Sequence, residues 1–167
     1  MKTFTLLILL VTFQYTLYAD EHSYKDTKSG ISFHYPDIVI LNKESSKKSP
    51  VSAVFTYGTA PFSSSVIYKE IEGSENIQNF IKKEHNAQIK GGYKKDVIEK
   101  NTNIDENTET VEWIRKTPFG SIYYFVFPSL KEHKLYAFYH VTSKNADPDQ
   151  IALKAYELMK KTLILEK

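Results

Sequence analysis

Apolar and polar residues alternate from Gly30 to Tyr35 (GISFHY): Ile31, Phe33 and Tyr35 fall on one side, Ser32 and His34 on the other. A period of two over six residues predicts a half-buried strand. Pro36 and Asp37 end it, and residues 38–41 read as a short apolar strand. Residues 42–50 (NKESSKKSP) read as a solvated loop. Residues 51–57 and 65–71 read as two strands paired around the turn Gly58-Thr59-Ala60-Pro61.

The period then changes. Ile77, Phe80 and Ile81 recur at helical spacing, with Ser74 as the expected N-cap, Glu75 in the positive first turn and Gly91-Gly92 as the stop. Residues 93–100 return to a strand pattern, and residues 101–107 (NTNIDEN) read as a turn. Three strands follow. In residues 109–116, Val111, Trp113 and Arg115 share a side; residues 121–127 (SIYYFVF) are apolar on both sides; residues 135–142 are apolar on one side and aromatic on the other. A strand apolar on both faces belongs in the middle of a covered sheet. Residues 128–133 connect the last two strands as a hairpin. A closing helix is predicted from Asp147 as N-cap and Pro148 at its first position, with an inner stripe of Ile151, Ala155, Leu158, Met159 and Thr162. Strands in runs with one inserted and one terminal helix predict an α+β domain, an antiparallel sheet with helices packed on it.

The first nineteen residues stand apart. Lys2 precedes an uncharged apolar run, Phe4 to Phe13, and the stretch ends at Leu17-Tyr18-Ala19 before the charged Asp20-Glu21-His22. A basic start, a short apolar run and a small residue at the end form a secretory signal, with cleavage expected after Ala19. The run is too short for a bilayer core, which takes about 20 residues. The expected division is residues 1–19 as signal peptide, 20–29 as a polar leader and 30–167 as one domain. The mature protein is expected to be exported, periplasmic or extracellular, without stable membrane insertion.

Composition narrows the chemistry. The chain has 167 residues and no Cys, which removes disulfides, thiol nucleophiles and thiolate metal sites. The formal charge of +2 is far from the basic excess of a nucleic-acid binder. The five histidines, at 22, 34, 85, 133 and 140, include no pair at i, i+4. His34 and His140 both fall on strands, opposite the aliphatic side; meeting across the sheet with a carboxylate they would bind a metal, although a satisfied histidine is the default. The Asp105-Glu106 turn lacks the alternating ligands and central Gly of a calcium loop. No Gly-x-Ser-x-Gly elbow and no glycine-rich phosphate loop occur. No catalytic residue, metal or cofactor is expected, and an enzyme would need a site assembled only in three dimensions. The lysine pairs are interleaved with acidic residues and read as solvated surface.

Aromatic residues are in excess: beyond residue 19 there are ten Tyr, eight Phe and one Trp. Trp113, Tyr123, Phe125, Tyr136 and Phe138, with His140, are expected to share one side of the late strands. Core packing is the first explanation of such a set. The functional one is a groove for a protein partner or an amphipathic ligand, and these five residues are the candidate binding face.

Gly30-Ile31-Ser32-Phe33-His34-Tyr35-Pro36 resembles the glycine, alternating strand and Tyr-Pro opening of PsbP-like proteins. The helix over 74–90, the strand pair Gly120–Phe127 and Lys134-Leu135-Tyr136-Ala137-Phe138, and the closing Leu158-Met159-Lys160-Lys161-Thr162-Leu163 are similar to later parts of that family. Ile38 and Val39 stand where the family often has a Trp, and Thr162-Leu163 where it usually has Ser-Phe. The resemblance implies an α/β/α sandwich and a binding or assembly role rather than catalysis. The functional expectation is therefore an exported, non-enzymatic envelope protein with a macromolecular partner. A small-ligand or lipid carrier with an aromatic pocket is the alternative, and a hydrolase the third class.

Overall fold

Residues 121–127, the segment apolar on both sides, lie inside a seven-stranded sheet. The computed structural model describes residues 21–42, 51–59, 63–90, 97–105, 108–117, 120–143 and 147–167. The signal peptide expected at 1–19, the Gly91-Gly92 helix stop, most of the 42–50 loop, Ala60 and Pro61 of the early turn and Glu106 lie outside the described residues. The elements in chain order are β1 (Glu21–Asp26), β2 (Ile31–Pro36), β3 (Ile40–Asn42), β4 (Val51–Tyr57), β5 (Ser64–Glu70), α1 (Ile77–Lys90), β6 (Val97–Asp105), β7 (Thr108–Thr117), β8 (Gly120–Pro128), β9 (Leu135–Ser143), α2 (Asp147–Lys161) and β10 (Ile164–Leu165).

The large sheet has the order β3-β4-β5-β9-β8-β7-β6 and a small one the order β1-β2-β10. All neighbouring strands are antiparallel. One face of the large sheet packs on β2 and α2 through Phe33, Phe55, Tyr68, Phe125, Phe127, Phe138, Tyr156 and Met159. Rings meet edge-on there, as Phe33 does Phe138 at 4.8 Å between centroids. The opposite face packs on α1, where Ile77, Phe80 and Ile81 meet Val111, Trp113, Val126, Leu135 and Ala137. The result is an α+β sandwich with helices on both sides of a mainly antiparallel sheet.

Several elements differ from the sequence expectation. The polar leader at 20–29 contains β1, whose residues Tyr24 and Lys25 pair with Phe33 and Ser32. An edge strand needs few apolar residues, and Tyr24 supplies the packing on the core. The turn between β1 and β2 is held by Gly30 at φ +72°, which a Cβ would bring to 2.9 Å from the Glu166 carbonyl oxygen. Behind it, the Tyr68 hydroxyl donates to Asp26 at 3.0 Å and the Ser129 hydroxyl to the Ser29 carbonyl at 2.6 Å, tying the small sheet to the large one.

The turn expected over 101–107 is strand as far as Asp105, with a bulge between Asn103 and Asp105. Polar NTNID pairs as an edge because only one side must hydrogen-bond and neither face is deeply covered. α1 begins three residues after Ser74. Its cap is Asn76, whose side-chain oxygen accepts from the Asn79 amide at 2.9 Å, while the buried Ser74 hydroxyl has no partner. The buried stripe of α2 is Ala152, Ala155, Tyr156 and Met159, rotated from the expected one; Ile151 and Leu158 are only partly buried. Thr162 closes that helix by donating to the Leu158 carbonyl, and it accepts from the His34 amide at 2.9 Å.

Candidate partner-binding face

In an antiparallel sheet, residues directly opposite one another share a face. The register makes Tyr123 opposite His140, Phe125 opposite Phe138 and Phe127 opposite Tyr136. All of these face α2 and the small sheet. Trp113 is opposite Tyr124, which is opposite Tyr139. Trp113 therefore stands on the α1 side, and the expectation that it shares a side with Tyr123, Phe125, Tyr136 and Phe138 does not hold. The reason is parity: β7 enters the sheet in the register that puts Glu112, not Trp113, opposite Phe125. Trp113, Phe125, Tyr136 and Phe138 are 1%, 5%, 3% and 0% exposed and sit in the two cores; Tyr123 is partly buried against Tyr156.

Another set of side chains faces outward. On the α1 side, one row across the strands runs Trp113, Tyr124, Tyr139, Ile67, Val54 and Asn42. The row beyond it carries Arg115, Ile122 and Val141. On the other edge, Ile40 lies opposite Thr56 on the same face. Six strand spacings of about 4.8 Å make this sheet about 29 Å wide, whereas a helix is about 10 Å across. α1 covers Trp113 and the Val111, Val126 and Ala137 row. At its margin Tyr124 packs edge-on against Phe80 at 5.7 Å and is partly exposed; beyond it, Tyr139, Ile67, Ile122 and Val54 are partly exposed, Val141 is 45% exposed and Ile40 70%.

At the boundary stands Lys69, opposite Ala137. Its Nζ lies 4.4 Å from the Tyr139 ring centroid and 5.1 Å from that of Tyr124, and the two rings are 4.7 Å apart. Burial pulls the Lys69 pKa down, and the Glu84 carboxylate on α1 pushes back. Burial raises the Tyr124 and Tyr139 hydroxyl pKa values, so both stay protonated at neutral pH. The site offers aromatic surface, aliphatic surface and a cation held on two rings.

The histidines are separated. His34 lies on β2, its Nδ1 3.1 Å from a Glu21 carboxylate oxygen. His140, fully buried on β9, has its Nδ1 2.9 Å from the Ser65 carbonyl oxygen, and its Nε2 has no partner. Asp149 is nearby but accepts from the Ser143 amide at 2.6 Å and the Ser143 hydroxyl at 2.9 Å, anchoring the start of α2 to β9. Both this histidine and this carboxylate are buried, at 0% and 6% exposure. Among the described residues, no three His, Asp or Glu side chains group as metal ligands. A groove of about 770 Å³ beside α1 is open and lined mainly by polar residues, Ser74, Asn79, Lys82, Lys83 and Asn86 among them. Neither described helix is long and apolar enough to cross a membrane.

No family model matches the chain, and no curated protein does. Among solved structures, cyanobacterial PsbP (CyanoP) from Synechocystis matches with a TM-score of 0.55 over 89% of this chain and 94% of that one, at 17% identity. The fold is PsbP-like. The Ran-binding protein Mog1p of Saccharomyces cerevisiae shares it, with a TM-score of 0.54 over 87% of this chain and 95% of its own, at 6% identity.

Sequence reasoning missed Tyr124, Tyr139, Lys69, Ile122 and Val141. The signal was present in the double-faced apolar run of β8: its second face needs a cover, and a single fourteen-residue helix is too narrow to supply one.

Proposed function

We propose that this is an exported, non-enzymatic protein that binds a macromolecular partner in the cell envelope through the open face of its large sheet. The observation that carries the reading is the row Tyr124, Tyr139 and Ile67 with Val141 beyond it, partly exposed beside a fully packed core. Soluble monomers rarely leave such contiguous apolar surface uncovered, and large patches mark interaction sites. Of the five aromatics expected at a binding face, Tyr123, Phe125, Tyr136 and Phe138 pack beneath that sheet, and Trp113 packs under α1. Export rests on the Lys2, apolar-run and Ala19 pattern, and residues 21–167 then make one domain. Two proteins with this fold, one titled Ran-binding, are consistent with a binding role. The buried position of His140 and Asp149 speaks against a hydrolase, and the open, polar-lined groove beside α1 against a lipid carrier.

The test is site-specific photocross-linking in the native host's envelope. A benzoylphenylalanine at Tyr139 is expected to form a discrete adduct with a second polypeptide. One at Lys154, exposed on the outer side of α2, is expected to form none. Equal adducts from both positions, or none from position 139, would overturn the reading.

A further inference from the structure

The charge on the open face says what kind of partner it fits. Several exposed lysines are paired with carboxylates: Lys25 and Lys131 with Glu166, Lys134 with Glu70, Lys28 with Glu132. Lys69 is different. It is more buried than these, yet its ammonium lies on the Tyr124 and Tyr139 rings rather than against a carboxylate. The other described groups nearest Lys69 are the two tyrosine hydroxyls, the Arg115 guanidinium in the next row and, under α1, the buried Trp113 Nε1; Glu99, opposite Trp113 at the far end of the row, lies 3.8 Å from His85. Glu84 on α1 acts on Lys69 through the electrostatic field, and among the described residues no carboxylate forms an ion pair with it. A half-desolvated cation beside two tyrosine hydroxyls and flanked by aliphatic surface is complementary to an acceptor-bearing, apolar segment. A polyanion is a poorer fit, because tracking a phosphate backbone takes a line of cations, and the described residues beside these rings supply Lys69 and Arg115.

We propose that the open face takes an acidic, amphipathic polypeptide segment, one carboxylate meeting Lys69 beside the Tyr124 and Tyr139 rings and its apolar side chains lying on Val141, Ile122 and Ile67. This rests on the partner-binding reading above and names the partner's chemistry.

A random twelve-residue phage-displayed peptide library, selected on the protein purified from its host, tests it. Selected peptides are expected to combine Asp or Glu with Leu, Ile, Phe or Trp. As synthetic peptides they should bind the wild type and lose at least tenfold in affinity to both Lys69→Glu and Val141→Asp. Selection on Lys69→Glu should enrich Lys or Arg instead. Lys69→Met, which keeps the apolar stem on the rings and loses the charge, guards against misfolding and should also lose at least tenfold. Peptides sensitive to Val141→Asp but indifferent to both Lys69 variants would overturn the acidic segment and leave the face a binding site. No selected peptide sensitive to either position would overturn both readings. Sedimentation showing a dimer that Val141→Asp dissociates would give the face to a second copy of this chain and refute the proposal.

Discussion

Trp113→Ala separates a core role from a surface role. Trp113 is 1% exposed, edge-on to Phe80 at 6.4 Å between centroids and to His85 at 4.8 Å, and it packs with Val111, Val126 and Ala137 beneath α1. Large aromatic-to-Ala changes in cores cost about 3–5 kcal/mol, the transfer loss plus the cavity. The upper half of that range is expected, because two edge-on ring contacts disappear with the hydrocarbon. Domains have only about 5–15 kcal/mol in total, so the variant should melt roughly 8–20 °C lower. With a urea slope of about 2 kcal/mol per molar, the midpoint should fall by about 2 M. Trp113 is the one Trp in the chain, so far-UV circular dichroism must follow the transition. Tyr139→Ala, on the open face, should cost about 1 kcal/mol. Trp113→Phe should cost less than half the Ala value, since it keeps most of the ring and deletes a buried N–H that has no acceptor. If Trp113→Ala lost under 1 kcal/mol while partner binding vanished, the assignment of Trp113 to the core would be wrong.

Other outcomes follow from single contacts. Asn76→Ala should destabilise by about 1 kcal/mol through loss of the α1 cap, whereas Ser74→Ala, removing a hydroxyl without a partner, should be neutral or slightly stabilising; both are read by chemical denaturation. Tyr68→Phe should cost about 1–3 kcal/mol, since it strips the partner from Ser29 and Asp26 behind the β1–β2 turn. Lys160→Met, leaving the Glu112 carboxylate without its 2.7 Å partner, should cost more than Lys160→Met combined with Glu112→Gln, a difference a double-mutant cycle measures. Burial holds the His140 pKa below its ordinary value of 6.5 against the opposing pull of the Ser65 carbonyl and Asp149. The unfolded chain therefore takes up this proton first as pH falls, and stability is lost from about pH 6.5 downward. His140→Gln should flatten that part of the melting-temperature profile between pH 7.5 and 5, and an unchanged profile would refute the assignment.

The core strands were legible because their patterns were redundant. β2 and β8 follow apolar alternation so closely that the expected boundaries, 30–35 and 121–127, differ from the observed ones by one residue at either end. The edge strands β1 and β6 were not legible. Their stabilisation comes from hydrogen bonds to the adjoining strands β2 and β7, and KD and NTNID carry no periodic signal of their own. The α2 stripe slipped for a different reason. Leu158 and Ile151 are better hydrophobes than Ala152 and Ala155, but the helix approaches β2 and β9 closely enough that small residues occupy the contact line and Tyr156 fills the space beside it.

The binding face failed on parity rather than on residue type. Tyr123 and Tyr124 are neighbours in sequence and identical in chemistry, yet one is packed against Tyr156 of α2 and the other stands beside Lys69 on the open side. Only strand register separates them, and register is a property of pairs of strands. What composition did carry was the excess: more aromatic surface than one core consumes. The two sides of the large sheet divide that surface unequally: among the described residues β2 and α2 together cover one side, while α1 covers part of the other. The exposed remainder keeps a lysine on its tyrosines, an arrangement that residue type alone does not announce and that only the pairing of β5, β9 and β8 assembles.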